Sequence, residues 1–430
     1  MDCRFSDLAE GSRMSALIEN QRDDGFLNIA DHDSYTDGVP HASFARLREQ
    51  DPVHYTTPTD GMKSFWSVTR HADILEANGK PEIFSSAQGI RIEDQSREEY
   101  LARRTFQETD PPEHRITRKL VNPAFSRPAI IQYEAMIRQL AAEIVDAAIK
   151  RGEFDAVDAI AKQLPMLMLG RILGLPDADL EWLVEKGDAL IGNTDPDFTD
   201  HVVDKMNSDA YRFMPFRSPA GVDLYDYAET VFAGRKSIDP QGVLHRVISA
   251  DNGLALEDFR NFFCLLVAAG NDTTRYSISM ALYLLTKHPE LLPQLQSGSV
   301  DDTAADEIIR LASPTMHFRL TATRDTVLGG TKIAEGDKVV LWFVSGNRDA
   351  AVFDDPHRPR LDRHPNPNVA FGQGGPHFCL GMWLARLEVK VVLQELATKL
   401  AGIEALDAPR WTRSNFICGV KSLPVGVRVR

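Results

Sequence analysis

Cysteine is scarce in this chain: four in 430 residues, Cys3, Cys264, Cys379 and Cys418, widely spaced and without a CxxC pair. That pattern excludes a disulfide framework and a structural zinc site, and it fits a reducing compartment. No apolar run approaches the ~18–20 residues of a membrane span. Asp2, Arg4, Asp7, Glu10, Arg13 and Glu19 break up the start of the chain, so no secretory signal is expected there. There is no Gly/Ser- or Pro-rich linker, internal repeat or low-complexity tract, and no G-x-G-x-x-G dinucleotide fingerprint. Positive charge is also short: 48 Lys and Arg against 62 Asp and Glu give a net charge of −14, which disfavours nucleic acid as a partner. The expectation is a soluble cytoplasmic protein.

What is present is the material of a large core. Hydrophobic residues make up 43% and charged residues 26% of the chain, as in an ordinary globular protein. Without a linker to divide it, the chain reads as one large domain over residues 30–430. The expected fold class is mainly α with small β-sheets. A polar arm over residues 1–29 is expected to be loose and flexible.

The most informative stretch is Phe371-Gly-Gln-Gly-Gly-Pro-His-Phe-Cys379-Leu-Gly381. Its glycines permit tight turns and close approach to a bulky group. A helix predicted to begin near Met382 supplies free N–H groups and a positive dipole end, and both stabilise a thiolate. One thiolate held in this way suits haem iron. The alternative is a buried structural cysteine, since free cysteine is among the most buried residue types.

From about Leu256 to Lys287 the sequence predicts one continuous helix, roughly 45–50 Å long at ~1.5 Å per residue. Its middle reads Val267-Ala268-Ala269-Gly270-Asn271-Asp272-Thr273-Thr274-Arg275. An acid in a core is unfavourable unless paired, and such local rule-breaking points to a functional site. A capped polar helix crossing is the other reading. Glu307 and Arg310, three apart, read by themselves as a surface pair.

In this order, these segments together resemble the cytochrome P450 family over nearly the whole chain. The motifs are Ala269-Gly270-x-Asp272-Thr273, Glu307-x-x-Arg310, Arg363 following Phe353-x-x-Pro356, the cysteine loop, and His114-x-x-x-Arg118 after Asp110-Pro-Pro-Glu113. The resemblance implies the cytochrome P450 fold, with haem b between the long helix and the cysteine loop. Cys379 becomes the proximal iron ligand, and Phe371 opens its loop. His114, Arg118 and His377 are expected to hold the haem propionates. Glu307, Arg310 and Arg363 form a structural triad, and Asp272 and Thr273 relay protons. The cysteine loop is one residue longer than the family's commonest form. That length, and the tail Phe416–Pro424, are similar to bacterial members that hydroxylate sterols and methyl-branched lipids. Five residues before Asp325, where the family has a propionate-binding arginine, stands Leu320. The adjacent Arg319 is the remaining candidate, on a strand where a one-residue step reverses the facing.

The resemblance implies a haem-thiolate monooxygenase that hydroxylates a terpenoid, steroid or branched lipid. Its two electrons come from NAD(P)H through a ferredoxin reductase and a 2Fe-2S ferredoxin, which docks near Arg104, Arg115, Lys119 and Arg386. Ile90, Ile92, Val267, Ala268, Ala269, Phe318, Phe416 and Ile417 are the expected pocket walls, with residues 193–227 as a lid. A peroxide-driven peroxygenase and a non-catalytic haem sensor are the rivals, and a cysteine hydrolase using His377 is a remoter one.

Overall fold

The computed structural model describes residues 28–59, 61–251 and 253–430. The helices that position the site are α1 (Arg97–Arg103), α2 (Glu113–Phe125), α3 (Glu134–Ile149), α4 (Gln163–Leu173), α5 (Leu180–Ile191), α6 (Ala220–Phe232), α7 (Leu256–Lys287), α8 (Ala304–Ala312) and α9 (Met382–Lys399). A five-stranded sheet holds β1 (Val53–Thr56), β2 (Phe65–Val68), β3 (Phe84–Ser85), β4 (His317–Ala322) and β5 (Lys338–Trp342), in the spatial order β1-β2-β5-β4-β3. Only β2 and β5 run parallel within it. The mainly helical class with small sheets is the one expected.

Helix α7 has the bounds that the sequence predicts. It contains no proline, and Glu257, Asp258 and Lys287 complement its dipole at the two ends. Helices α4, α5, α6, α8 and α9 all pack on it, which makes it the axis of the main core. Phe259, Phe263, Ile278 and Leu282 on α7 are fully buried, and each such side chain contributes ~1.5–3 kcal/mol relative to exposure. Gly270 serves this packing: a Cβ there would come within 2.6 Å of Leu169 Cδ1 on α4. The glycine lets two helices approach, besides leaving room for a ligand.

Most of the expected arm, residues 1–27, lies outside the described residues. Its last two residues belong to the body of the fold. Asn28 and Ile29 are buried, and Ile29 packs in a cluster with Tyr35, Phe44 and Trp342. No helix among the described residues is long and apolar enough to cross a membrane.

Glu307 and Arg310 are not a surface pair. Both are fully buried on α8, where Arg310 grips the carboxylate with Nε at 2.8 Å and Nη2 at 2.7 Å. Arg363 Nε donates to the same carboxylate at 3.0 Å, and the Arg360 N–H and Asn366 Nδ2 complete it at 3.0 and 3.1 Å. The remaining guanidinium nitrogen of Arg310 donates to the carbonyls of Asn347 and Pro356, so this cluster ties α8 to the segment leading to the cysteine loop. Glu307→Ala strands two buried cations and should cost about 3–5 kcal/mol. A fall in the thermal midpoint of the haem-loaded protein checks it; a midpoint within a degree or two of the parent's contradicts it.

Candidate active site

The cysteine loop is a turn held from both sides. The Cys379 N–H donates to the Phe371 carbonyl at 2.9 Å. Asn78 Nδ2 donates at 2.8 Å to the carbonyls of Gly372 and Gln373. Gly374 has φ +95°, and a Cβ on Gly375 would lie 2.5 Å from the Asn78 carbonyl oxygen; larger residues fit neither position. Helix α9 then starts at Met382. Burial raises the Cys379 thiol pKa, while the Gly381 and Met382 N–H groups and the Arg118 and Arg386 charges pull it back toward thiolate. Cys379 is nonetheless exposed, because it borders an internal cavity. Cys264 and Cys418 are buried, and burial drives both thiols up, Cys418 to about 12.

The polar centre of α7 borders the same cavity. Thr273 Oγ1 donates to the Ala269 carbonyl at 2.9 Å, which leaves its oxygen free to accept from the cavity side. Asp272 Oδ1 accepts from Arg275 Nη2 at 2.8 Å and Asn271 Nδ2 at 3.2 Å. Its Oδ2 has no partner. Burial pushes the Asp272 carboxyl up to about 7, with Arg275 opposing and Asp188 adding to the rise. Arg275 Nη1 also meets Asp188 Oδ1 on α5 at 2.6 Å, and Asp188 Oδ2 meets Lys162 Nζ at 2.9 Å. The Lys162 side chain is 30% exposed, so a line of charged groups runs from Asp272 to solvent. Nothing in a one-dimensional reading assigns Asp188 or Lys162 to this site. Arg275, at helical i+3 spacing from Asp272, was the one legible signal.

A basic cluster with no acid on it lies beside the cysteine. The rings of His114 and His377 are 4.2 Å apart, and all four of their nitrogens are buried without a partner. Arg118 Nη2 donates to the Phe378 carbonyl. Burial and the neighbouring cations depress the histidines, His114 to about 4 and His377 to about 3. None of the three side chains is ion-paired among the described residues, so the cluster lacks an anion. A thiol open to a cavity, with the His377 imidazole and the Arg118 guanidinium at its edge and His114 behind His377, fits an iron-bearing macrocycle with carboxylate arms.

The cavity encloses about 250 Å³. Ile90, Ala268, Ala269, Phe318, Phe416 and Ile417 line it, together with Phe371, Arg118 and His377. Ile92, Val267 and Arg319 are not brought to its wall. Ile92 packs in the cluster around Phe65, Met316 and Trp342. Val267 points at Gly187 on α5. Arg319 Nη2 donates to Thr321 Oγ1 at 3.1 Å, two residues along the same face of β4. Of residues 193–227, Pro215 and Phe216 reach the cavity. Phe216 and Arg217 both have positive φ, 56° and 51°, a strained pair that seats the Phe216 ring while Arg217 bonds Glu99 on α1 at 2.6 Å.

Comparison with known proteins gives the family. The cytochrome P450 family model matches residues 302–399. The methyl-branched lipid omega-hydroxylase of Mycobacterium tuberculosis is 34% identical over 415 residues, covering 93% of this chain and 94% of the relative. The linalool 8-monooxygenase of Pseudomonas putida is 36% identical over 412 residues, covering 93% and 98%. A Mycobacterium marinum cytochrome P450, solved in complex with pseudoionone, superposes with TM-score 0.82 at 35% identity, covering 90% and 94%. With relatives this similar along more than nine-tenths of its length, a cysteine loop and an acid–alcohol helix on one cavity, and a fully buried Glu–Arg pair bonded to Arg363, the chain belongs to the cytochrome P450 family, whose cofactor is haem, and is a P450 monooxygenase.

Proposed function

We propose that the protein hydroxylates an apolar small molecule of the terpenoid, steroid or branched-lipid class, using haem b bound to Cys379. The observation that carries this reading is the sharing of one largely apolar cavity by an exposed thiol, an acid–alcohol pair and an acid-free basic cluster. When bound, haem supplies the redox chemistry by which dioxygen, two electrons, two protons and a C–H bond become an alcohol and water. The protein's part is positioning, exclusion of water and proton delivery. His114, Arg118 and His377 would hold the propionates through charge-assisted bonds, and the propionate charge would raise the depressed histidines. Arg319, facing away from the cavity, is not assigned to them.

Asp272 holds the proton at Oδ2, its free oxygen, and Thr273 presents an acceptor lone pair beside it. A carboxyl poised near neutrality both gives up and regains a proton readily. Breaking its contact with Arg275 lets the carboxyl turn between the cavity and the Asp188–Lys162 end, which reaches solvent. This intact relay favours dioxygen and NAD(P)H over peroxide as the oxidant source. Titrating the haem-loaded protein with apolar compounds tests the substrate class. A low-to-high spin change with terpenoids, steroids or branched lipids is expected; response to charged, water-soluble compounds alone would overturn it.

Electrons would arrive from a 2Fe-2S ferredoxin and its reductase. Arg115 and Lys119 are exposed on α2, the helix that carries His114 and Arg118. Arg104 and Arg386 are engaged with Glu113 at 3.0 Å and Asp306 at 2.6 Å, so they are the weaker docking candidates. Charge reversal at Arg115 or Lys119 should slow association with an acidic ferredoxin and flatten its salt dependence. A reduction rate in the parent protein that ignores ionic strength contradicts this assignment.

A further inference from the structure

The cavity has a charged end that the relay and the cofactor cluster do not use. Arg103, the last residue of α1, is 9% exposed and borders the cavity. Its Nη2 donates to the neutral Gln95 side chain at 2.9 Å, and its Nη1 has no partner. Neighbouring cations are already engaged. Arg217 bonds Glu99 at 2.6 Å. Arg91 has Glu93 at 3.6 Å and lies over the Phe216 ring at 4.3 Å. No carboxylate is in ion-pair contact with Arg103 among the described residues; burial, with Arg91 adding to it, lowers it to about 10 against the longer-range pull of Glu99 and Glu108. A buried guanidinium without a contacting carboxylate is unfavourable, so an anionic group placed on it stabilises both.

Two carboxylates border this end and limit where an anion can sit. Glu93 keeps one oxygen unpartnered and repels an anion approaching Arg91. Glu108 accepts from the Thr105 N–H at 3.0 Å, and burial raises its pKa while Arg91, Arg103 and Arg319 pull it back. The unpartnered position is therefore Arg103 Nη1 itself. This end lies far from the reacting one. Asn261 Nδ2 on α7 donates to the Ala102 carbonyl at 3.2 Å, directly beside Arg103. Thr273 stands twelve residues further along α7, or ~18 Å at ~1.5 Å per residue. Asn261 and Thr273 both border the cavity.

We propose that Arg103 receives the carboxylate of a long, otherwise apolar substrate, an amphiphilic acid whose oxidised carbon lies at the end remote from the acid group. This deepens the hydroxylase reading and rests on it. The guanidinium–carboxylate contact is charge-assisted and lies in a water-poor wall, so it sets both affinity and the direction in which the substrate enters.

The test is calorimetric and spectral titration of the haem-loaded protein with tetradecanoic acid and with its methyl ester. The parent should bind the acid about tenfold or more tightly than the ester, as expected for a charge-assisted bond replaced by a neutral one. Arg103→Gln should erase that ratio, and Arg103→Lys should keep part of it. A ratio unchanged in Arg103→Gln, or a parent that prefers the ester, overturns the proposal; if the ester still shifts the haem spectrum, the hydroxylase reading stands. Loss of haem from Arg103→Gln shows instead that Arg103 anchors the cofactor, and the proposal is wrong. Failure of both compounds to bind a parent with full haem overturns the proposal and the apolar-substrate reading together.

Discussion

Cys379→His is expected to abolish the strongly red-shifted Soret band that thiolate-ligated haem gives when reduced under carbon monoxide. Cys379 is the cysteine exposed to the cavity, and the N–H groups of Gly381 and Met382 favour its thiolate. Cys264 also borders the cavity, but its thiol is buried on the wall of α7 and driven up by that burial. Cys264→Ala and Cys418→Ala should therefore keep the band. A red-shifted band that survives in Cys379→His places the ligand elsewhere and removes the basis of the site.

The second large effect concerns the relay. Asp272→Asn replaces a carboxyl poised at about 7 with an amide that cannot carry the proton, and turnover should fall ~10²–10⁴-fold. The sign of the pH dependence follows from the raised value. Protonated Asp272 is the donor, so the proton-delivery step in the parent weakens as pH rises through about 7, and Asp272→Asn should lose that limb. The coupling to Arg275 and Asp188 makes the observed midpoint a property of the group. Thr273→Ala should act differently. It leaves haem binding intact and lowers product per NAD(P)H, with the missing electrons recovered as peroxide. Turnover and pH profile unchanged in Asp272→Asn, or unchanged product yield in Thr273→Ala, would remove the role assigned to each.

Much of this site was legible because its signals are local. The bounds of α7 follow from an unbroken helix-compatible run, and its polar centre marks itself by breaking the apolar pattern. The cysteine loop announces its turns through glycine and its helix start through Gly381 and Met382. Other features depend on facing. Val267 and Ala268 are adjacent, yet about 100° of helical rotation sends one toward α5 and the other to the cavity. Ile90 and Ile92 part company because residues 90–93 run through bends, where strand alternation does not apply. Arg319 follows the strand rule, and so faces away from the Phe318 side. Asp188 and Lys162 come to Arg275 from helix α5 and from the start of α4, and no spacing along the chain records that meeting. The same holds for Arg103, whose unpartnered Nη1 exists only once α1 meets α7.

The most direct measurement of the central claim is the fate of isotopically labelled dioxygen. The haem-loaded protein is supplied with NAD(P)H, a ferredoxin, its reductase and an apolar substrate that has given the spin change. The account predicts an alcohol carrying one labelled oxygen atom from dioxygen, formed in proportion to the NAD(P)H consumed. Alcohol that forms only when peroxide is added, and that carries its oxygen from labelled peroxide, would contradict it.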